Sequence, residues 1–148
     1  MATVFSQIIS GAIPGRFVWA DDVAVAFTTI APIADGHTLV VPREEIVQFI
    51  DAPTDVLAHL VQVAQTIGRA QQQVWDSPRV ALVTAGFEVP HLHLHVLPAW
   101  DEQSLTFANA RHDVPAAELD AAAEQVREAL RAQGHGDHVP ARLTDPAV

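Results

Sequence analysis

Three of the chain's 8 histidines fall within one five-residue stretch, His91-Leu92-His93-Leu94-His95. Extended backbone alternates its side chains between two faces. This spacing therefore sets the imidazoles in one row, about 7 Å apart, and sends Leu92, Leu94 and Val96 to the opposite face. The leucine face suits a core and the histidine face suits chemistry. Three readings of that row are open. A neutral imidazole is a nucleophile near pH 7, and its neighbours can donate protons or bind phosphate oxygens. Three His can also hold a catalytic zinc with an open fourth position. The plainest reading is a polar strand face that happens to be rich in His. Within the row His93, flanked on both sides, is the best-placed attacker. It would need its Nδ1–H tied to an acceptor so that Nε2 stays free. His37, after Asp35-Gly36, either joins this constellation or is satisfied by a local backbone bond.

The segments that must position these residues are short and punctuated. Residues 4–10 read as an apolar helix closed by Gly11 and the turn Ile13-Pro14-Gly15. Phe17–Ala20 and Val23–Phe27 read as a hairpin around Asp21-Asp22, and 31–36 as a loop. His37–Val41 reads as a strand ended by Pro42. Leu57, Leu60, Val61, Ala64, Ile67, Gly68, Gln71 and Val74 then recur at helical spacing, with Thr54 as the expected N-cap. Asp76-Ser77-Pro78 stops that helix. Val80–Thr84 and His91–Leu97 read as strands joined by the loop 86–90, the second ended by Pro98. A last helix runs from about Pro115, at the first helical position, to Gln133, with Gly134 beyond its end. Residues 1–133 read as one domain and 134–148 as a mobile tail. His59, off the apolar stripe, reads as solvated; His112 lies in a loop, and His135 and His138 lie in the tail. Without regular βα alternation, the order argues an α+β fold with an antiparallel sheet.

Composition excludes several classes. With hydrophobic residues at 49% and charged residues at 18%, the 148-residue chain is too apolar for disorder and too poor in charge for a coiled coil. The absence of Cys removes disulfide scaffolds and thiol chemistry. Lys+Arg is 8 against Asp+Glu 18, a net charge of −10, and every cation is Arg. Such a chain lacks the basic footprint that holds long nucleic acids, yet a small phosphate can still be held by backbone N–H groups. No signal-like or membrane-spanning run is expected, so a cytoplasmic protein is the default.

The stretch His91-Leu92-His93-Leu94-His95-Val96-Leu97 resembles the His-φ-His-φ-His-φ-φ signature of the histidine triad (HIT) superfamily. Val4-Phe5-Ser6-Gln7-Ile8-Ile9-Ser10-Gly11-Ala12-Ile13-Pro14 is similar to that family's opening helix. The stretch from Ala26-Phe27 through Pro32 to Gly36-His37-Thr38-Leu39-Val40-Val41-Pro42 is similar to its central segment. The likeness spans roughly residues 4–100. It implies a five-stranded antiparallel sheet with a long central helix and a C-terminal helix, paired into a homodimer. It also implies cleavage of nucleotides and related phosphate esters, amides or anhydrides at the α-phosphorus, with no cofactor. On that resemblance His93 is the nucleophile that becomes nucleotidylated, His95 contacts the phosphate and assists the leaving group, His91 orients the array, and His37 supports it. The partner is then a small nucleotide-like substrate. A regulatory nucleotide-binding protein with little turnover is the alternative.

The chain departs from the family where substrate is held. Thr29 stands where the nucleoside phosphoramidase branch has an Asp that grips the ribose, and Thr cannot accept two hydroxyls as a carboxylate does. The loop Gly86-Phe87-Glu88-Val89-Pro90 replaces Gly-Gln-Ser/Thr-Val, putting an acceptor-only carboxylate where a hydroxyl would donate to phosphate. No Asn near Val83-Thr84 replaces the family's nucleoside contact. Gly86 would let backbone approach the phosphate. Phe5, Ile8, Ile13 and Ile30 keep a base-sized apolar pocket, although Ile8 and Ile13 suit an ordinary core equally well. For Glu88 three expectations follow: it turns to solvent, it obstructs phosphate, or it pairs with a cation, either His95 or a group on the substrate.

Overall fold

The computed structural model describes residues 2–147. Helix α1 (Val4–Ile9) is capped by Thr3, whose hydroxyl accepts the Ser6 N–H. Strands β1 (Arg16–Ala20) and β2 (Ala24–Thr28) form a hairpin whose turn is organised by Asp21. That carboxylate accepts the Val23 and Ala24 N–H groups and the Trp19 indole N–H. Strand β3 (Thr38–Pro42) precedes the long helix α2 (Thr54–Trp75); β4 (Arg79–Val83), β5 (Leu94–Ala99) and α3 (Ala116–Ala132) follow. The sheet is antiparallel throughout, in the order β1-β2-β3-β5-β4.

Each sheet face buries a different set of residues, as period-2 alternation requires. Helices α2 and α3 cover the face carrying Val18, Ala26, Val40, Leu94 and Val96, and add Leu60, Ile67, Val126 and Leu130. Helix α1 covers part of the other, where Phe5 meets Phe17, Val25, Phe27, Leu39 and Val41. His95 lies opposite Leu39 on β3 and Val83 on β4, so it belongs to this second face. Behind it, the buried Gln71 amide donates to the carbonyls of Gly36 and Val96, both at 2.9 Å, clamping α2 to β3 and β5.

Several expectations are corrected. Only His95 of the three clustered histidines lies within a strand; β5 begins at Leu94 rather than His91. The ladder ends there because side chains claim the next carbonyls: His93 Nδ1 meets the His91 carbonyl, and Thr84 Oγ1 donates to the His93 carbonyl. Pro42 ends β3 as expected, whereas Pro98 does not end β5, which runs on to Ala99. Pro98 falls beyond the last β3–β5 pair, where a missing N–H costs no bond to β3. Pro53 and Pro115, not Thr54 and an internal proline, cap α2 and α3.

The largest correction concerns residues 135–147, which are not a loose tail. Val139 is buried in the α2–α3 core, and His138 stacks on Trp19 at 4.5 Å between ring centroids. The Leu143 carbonyl accepts the Phe17 N–H at 2.8 Å. Arg127, buried within α3, donates to the carbonyls of Phe17 and Pro140 at 2.5 and 2.7 Å. Strand β1 is a sheet edge with unpaired backbone groups, and this segment covers it. His59 is not free in solvent either: its Nε2 lies 2.7 Å from the Asp21 carboxylate.

Candidate active site

Backbone partners are single-purpose, since a carbonyl only accepts and an amide N–H only donates. They therefore determine which nitrogen of each imidazole carries the proton. His93 Nδ1 is 2.7 Å from the His91 carbonyl, so Nδ1 holds the proton and Nε2 keeps a free lone pair. The Ile33 N–H donates to His37 Nδ1 at 3.1 Å, so the His37 proton sits on Nε2. That Nε2–H donates to His95 Nδ1 at 2.9 Å, which leaves the His95 proton on Nε2. His91 Nε2 donates to the Pro42 carbonyl at 2.8 Å, and its Nδ1 accepts the Thr3 hydroxyl at 2.7 Å. The array thus presents two unlike nitrogens, a lone pair on His93 and an N–H on His95. The His93 and His95 rings lie 4.9 Å apart between centroids.

Elements hold each ring in place. His91 is fully buried and bolts the α1 cap to the end of β3. Phe5 sets its ring against His93 at 4.9 Å, edge to face. Gly36 has φ +78°, and a Cβ there would overlap the Trp75 ring, so glycine is required just before His37. Gly86 has φ +83° in the loop facing the rings, and a Cβ there would meet nothing closer than 3.7 Å; the backbone turn, rather than crowding, accounts for it.

Burial disfavours the charged form of His37, His93 and His95. Burial, then repulsion from His95 and His93, holds His37 down at about 3. Burial, then His93, brings His95 to about 4. Burial lowers His93 as well, against the lift from its hydrogen bond to the His91 carbonyl; the His91 ring lowers it further and the Glu88 carboxylate raises it. Of the alternatives for Glu88, its charge bears on His93 rather than on His95. His95 stands below the ordinary histidine value because of its burial and, after that, the neighbouring His93 ring.

His93 and His95 open into a cavity of about 240 Å³ together with Ala85, Gly86, Phe87, Glu88 and Phe107. His37 and His91 support the rings from behind. Phe5 packs against the His93 ring from the core and does not line the cavity. The other expected pocket residues are elsewhere: Ile8 packs on the Phe5 cluster, and Ile30 is exposed. Thr29 spends its hydroxyl on the Ala31 N–H and its own N–H on the His37 carbonyl, so it braces β2 against the start of β3. Thr3, Thr84 and Phe107 join the site without having been expected there. Thr3 carries a helix-cap signature before Val4-Phe5, whereas nothing in the local pattern singles out Thr84 or Phe107.

Among the described residues no group of three or more His, Cys, Asp or Glu side chains is arranged to hold a metal ion. The hydrogen bonds explain why. Of the four imidazoles, only His93 offers an unengaged lone pair, so the donors do not fit a zinc site without breaking the array.

A family profile described as HIT domain matches residues 10–102. An uncharacterized HIT-like protein of Mycobacterium tuberculosis is 34% identical over 138 residues, covering 90% of this chain and 96% of that protein. The purine nucleoside phosphoramidase of Escherichia coli is 34% identical over 101 residues, covering 64% of this chain and 85% of that one. A zinc-bound histidine triad family protein from Mycobacterium smegmatis superposes with a TM-score of 0.78 at 27% identity, covering 92% of this chain and 98% of its own. With that fold, that match and the array of His91, His93 and His95, the chain belongs to the HIT domain family.

Proposed function

We propose that the protein is a nucleotide hydrolase or phosphoramidase that cleaves at the α-phosphorus through a covalent nucleotidyl–His93 intermediate. The observation that supports this reading most is the pairing of a free Nε2 lone pair on His93 with an N–H on its neighbour His95. Their cavity suits a phosphate and the start of a leaving group. The Escherichia coli relative, whose name describes a purine nucleoside phosphoramidase, favours the same class of substrate.

The chemistry runs in two steps. In the free protein His95 is neutral; an anionic phosphate brought against it raises its affinity for a second proton, which enters at Nδ1 as the ring gives up the hydrogen bond it accepts from His37 Nε2–H. His93 Nε2 attacks the α-phosphorus, forming an N–P bond as the bond from phosphorus to the leaving group breaks. The positive charge that develops on His93 is stabilised by its Nδ1–H bond to the His91 carbonyl. The doubly protonated His95 gives a proton to the departing nitrogen or oxygen. Water then attacks the nucleotidyl–His93, His95 takes the water proton, and the nucleotide leaves with His93 restored. Loss of His93 should remove the covalent route and cost at least about a thousandfold in turnover. The test is hydrolysis of an adenosine phosphoramidate by wild type and His93→Ala, with circular dichroism showing both folded. Near-normal turnover by the variant contradicts the reading.

The assembly belongs to the same proposal. The exposed Val61 on α2 and Leu82 on the edge strand β4 border a groove between helix and strand, and a two-fold pairing of protomers through this side would bury them.

A further inference from the structure

The cavity in front of His93 has an unusual charge inventory. None of the chain's 8 Arg residues lines it, and Lys is absent from the sequence. Its only formally charged side chain is the Glu88 carboxylate, because His93 and His95 are held neutral in the free protein. Glu88 is exposed to solvent along the loop yet close enough to His93 for its charge to act on that ring. The remaining large wall residues are aromatic. Phe107 stands 4.9 Å from His95 between ring centroids, and Phe87 is 97% exposed at the rim.

A substrate must satisfy this inventory as a whole. An α-phosphate diester or amide brings one negative charge, which the second proton on His95 balances. Glu88 then stands uncompensated in the cavity that the leaving group shares. A phosphoanhydride makes matters worse, since its leaving group carries at least one more negative charge into a partly desolvated space where repulsion is strong. A leaving group bearing a cation removes the conflict, and the faces of Phe87 and Phe107 also attract a cation through their ring quadrupoles. We infer that Glu88, with Phe107 and Phe87, selects nucleotidyl substrates whose leaving group carries an ammonium or similar cation a few bonds from the phosphorus, and disfavours phosphoanhydrides. This inference rests on nucleotidyl transfer to His93, and it assigns Glu88 as a specificity-determining residue rather than a reacting one.

The test uses two adenosine 5′-phosphoramidates of matched length. One is made from 1,3-diaminopropane and ends in a free ammonium; the other, from 3-methoxypropylamine, ends in a neutral ether. Wild type should show a kcat/KM at least about tenfold higher for the ammonium compound, a ratio that shrinks as salt is added. In Glu88→Gln the ratio should fall to about one, and use of diadenosine triphosphate should rise relative to the ether compound. Melting curves establish that the variant is folded. Equal use of both compounds by wild type overturns the assignment of Glu88, as does a preference that persists in Glu88→Gln. Either result leaves nucleotidyl transfer to His93 standing. Failure of wild type to turn over any of the three compounds overturns both readings together.

Discussion

Each histidine of the array is distinguished from the others by what its second ring nitrogen meets. A carbonyl behind His93 frees its Nε2, while the chain from Ile33 through His37 to His95 sends an N–H toward the same cavity. The alternation of His and Leu makes the row legible in the sequence. The tautomers are not legible there, because the partners Thr3 and Pro42 are 88 and 49 residues away from His91 along the chain. Glu88 stands out in the sequence as a departure from the family, but its effect on His93 rather than His95 depends on a loop geometry that no local pattern encodes. Ligand binding should register the neutral state of these rings. His95 sits at about 4 in the free protein, so an anionic phosphate that raises it must draw in protons from solvent. Calorimetry of adenosine monophosphate binding, in buffers of differing ionisation heat, should show proton uptake that grows as pH falls from 7 toward 5. Binding without proton uptake across that range would count against a phosphate placed beside His95.

Elements differ in how plainly the sequence announces them, and the reason is physical. Helices α2 and α3 carry apolar stripes over several turns, and the paired strands carry β-branched and apolar runs, so their type and order are legible. Segment 135–147 has no stripe because it is held by isolated contacts: one buried Val139, two carbonyls and one stacked imidazole. Such anchoring leaves no periodicity to read. Its energetic weight is nonetheless considerable. Ending the chain at Gly134 would expose the Val139 site, strip Arg127 of its Pro140 partner and leave the Phe17 N–H without its acceptor. Burial of a Val and a hydrogen bond to a charged group together imply a loss of about 3 kcal/mol or more. Urea denaturation should show a correspondingly lower midpoint for the shortened chain. An unchanged midpoint would mean that the segment contributes nothing to the fold.

At the scale of the whole molecule, the neutral histidines tie stability to pH. His37 at about 3 and His95 at about 4 stay unprotonated in the folded state, while the unfolded chain protonates them near 6.5. Stability is therefore fully present above pH 6.5 and declines as pH falls toward 4, by up to about 1.4 kcal/mol per pH unit for each such histidine. Thermal melts should drop by several degrees between pH 7.5 and 5, before most carboxylates begin to titrate. A melting temperature that is flat over that window would contradict the burial of these rings. The acidic composition and the exposed Val61 and Leu82 bear on assembly at the same scale. Light scattering at micromolar concentration should give about twice the 15.9 kDa chain mass, and a value near one chain mass would refute the proposed pairing.

The central claim is that His93 Nε2 forms a bond to phosphorus. The most direct measurement is mass spectrometry of wild type mixed with an adenosine phosphoramidate and quenched within the first turnovers in denaturant without acid, which preserves an N–P bond. A single adenylyl group mapped to the peptide containing His93, absent in His93→Ala, is the predicted result. Turnover with no adduct at any quench time, or an adduct mapped to another residue, would contradict it.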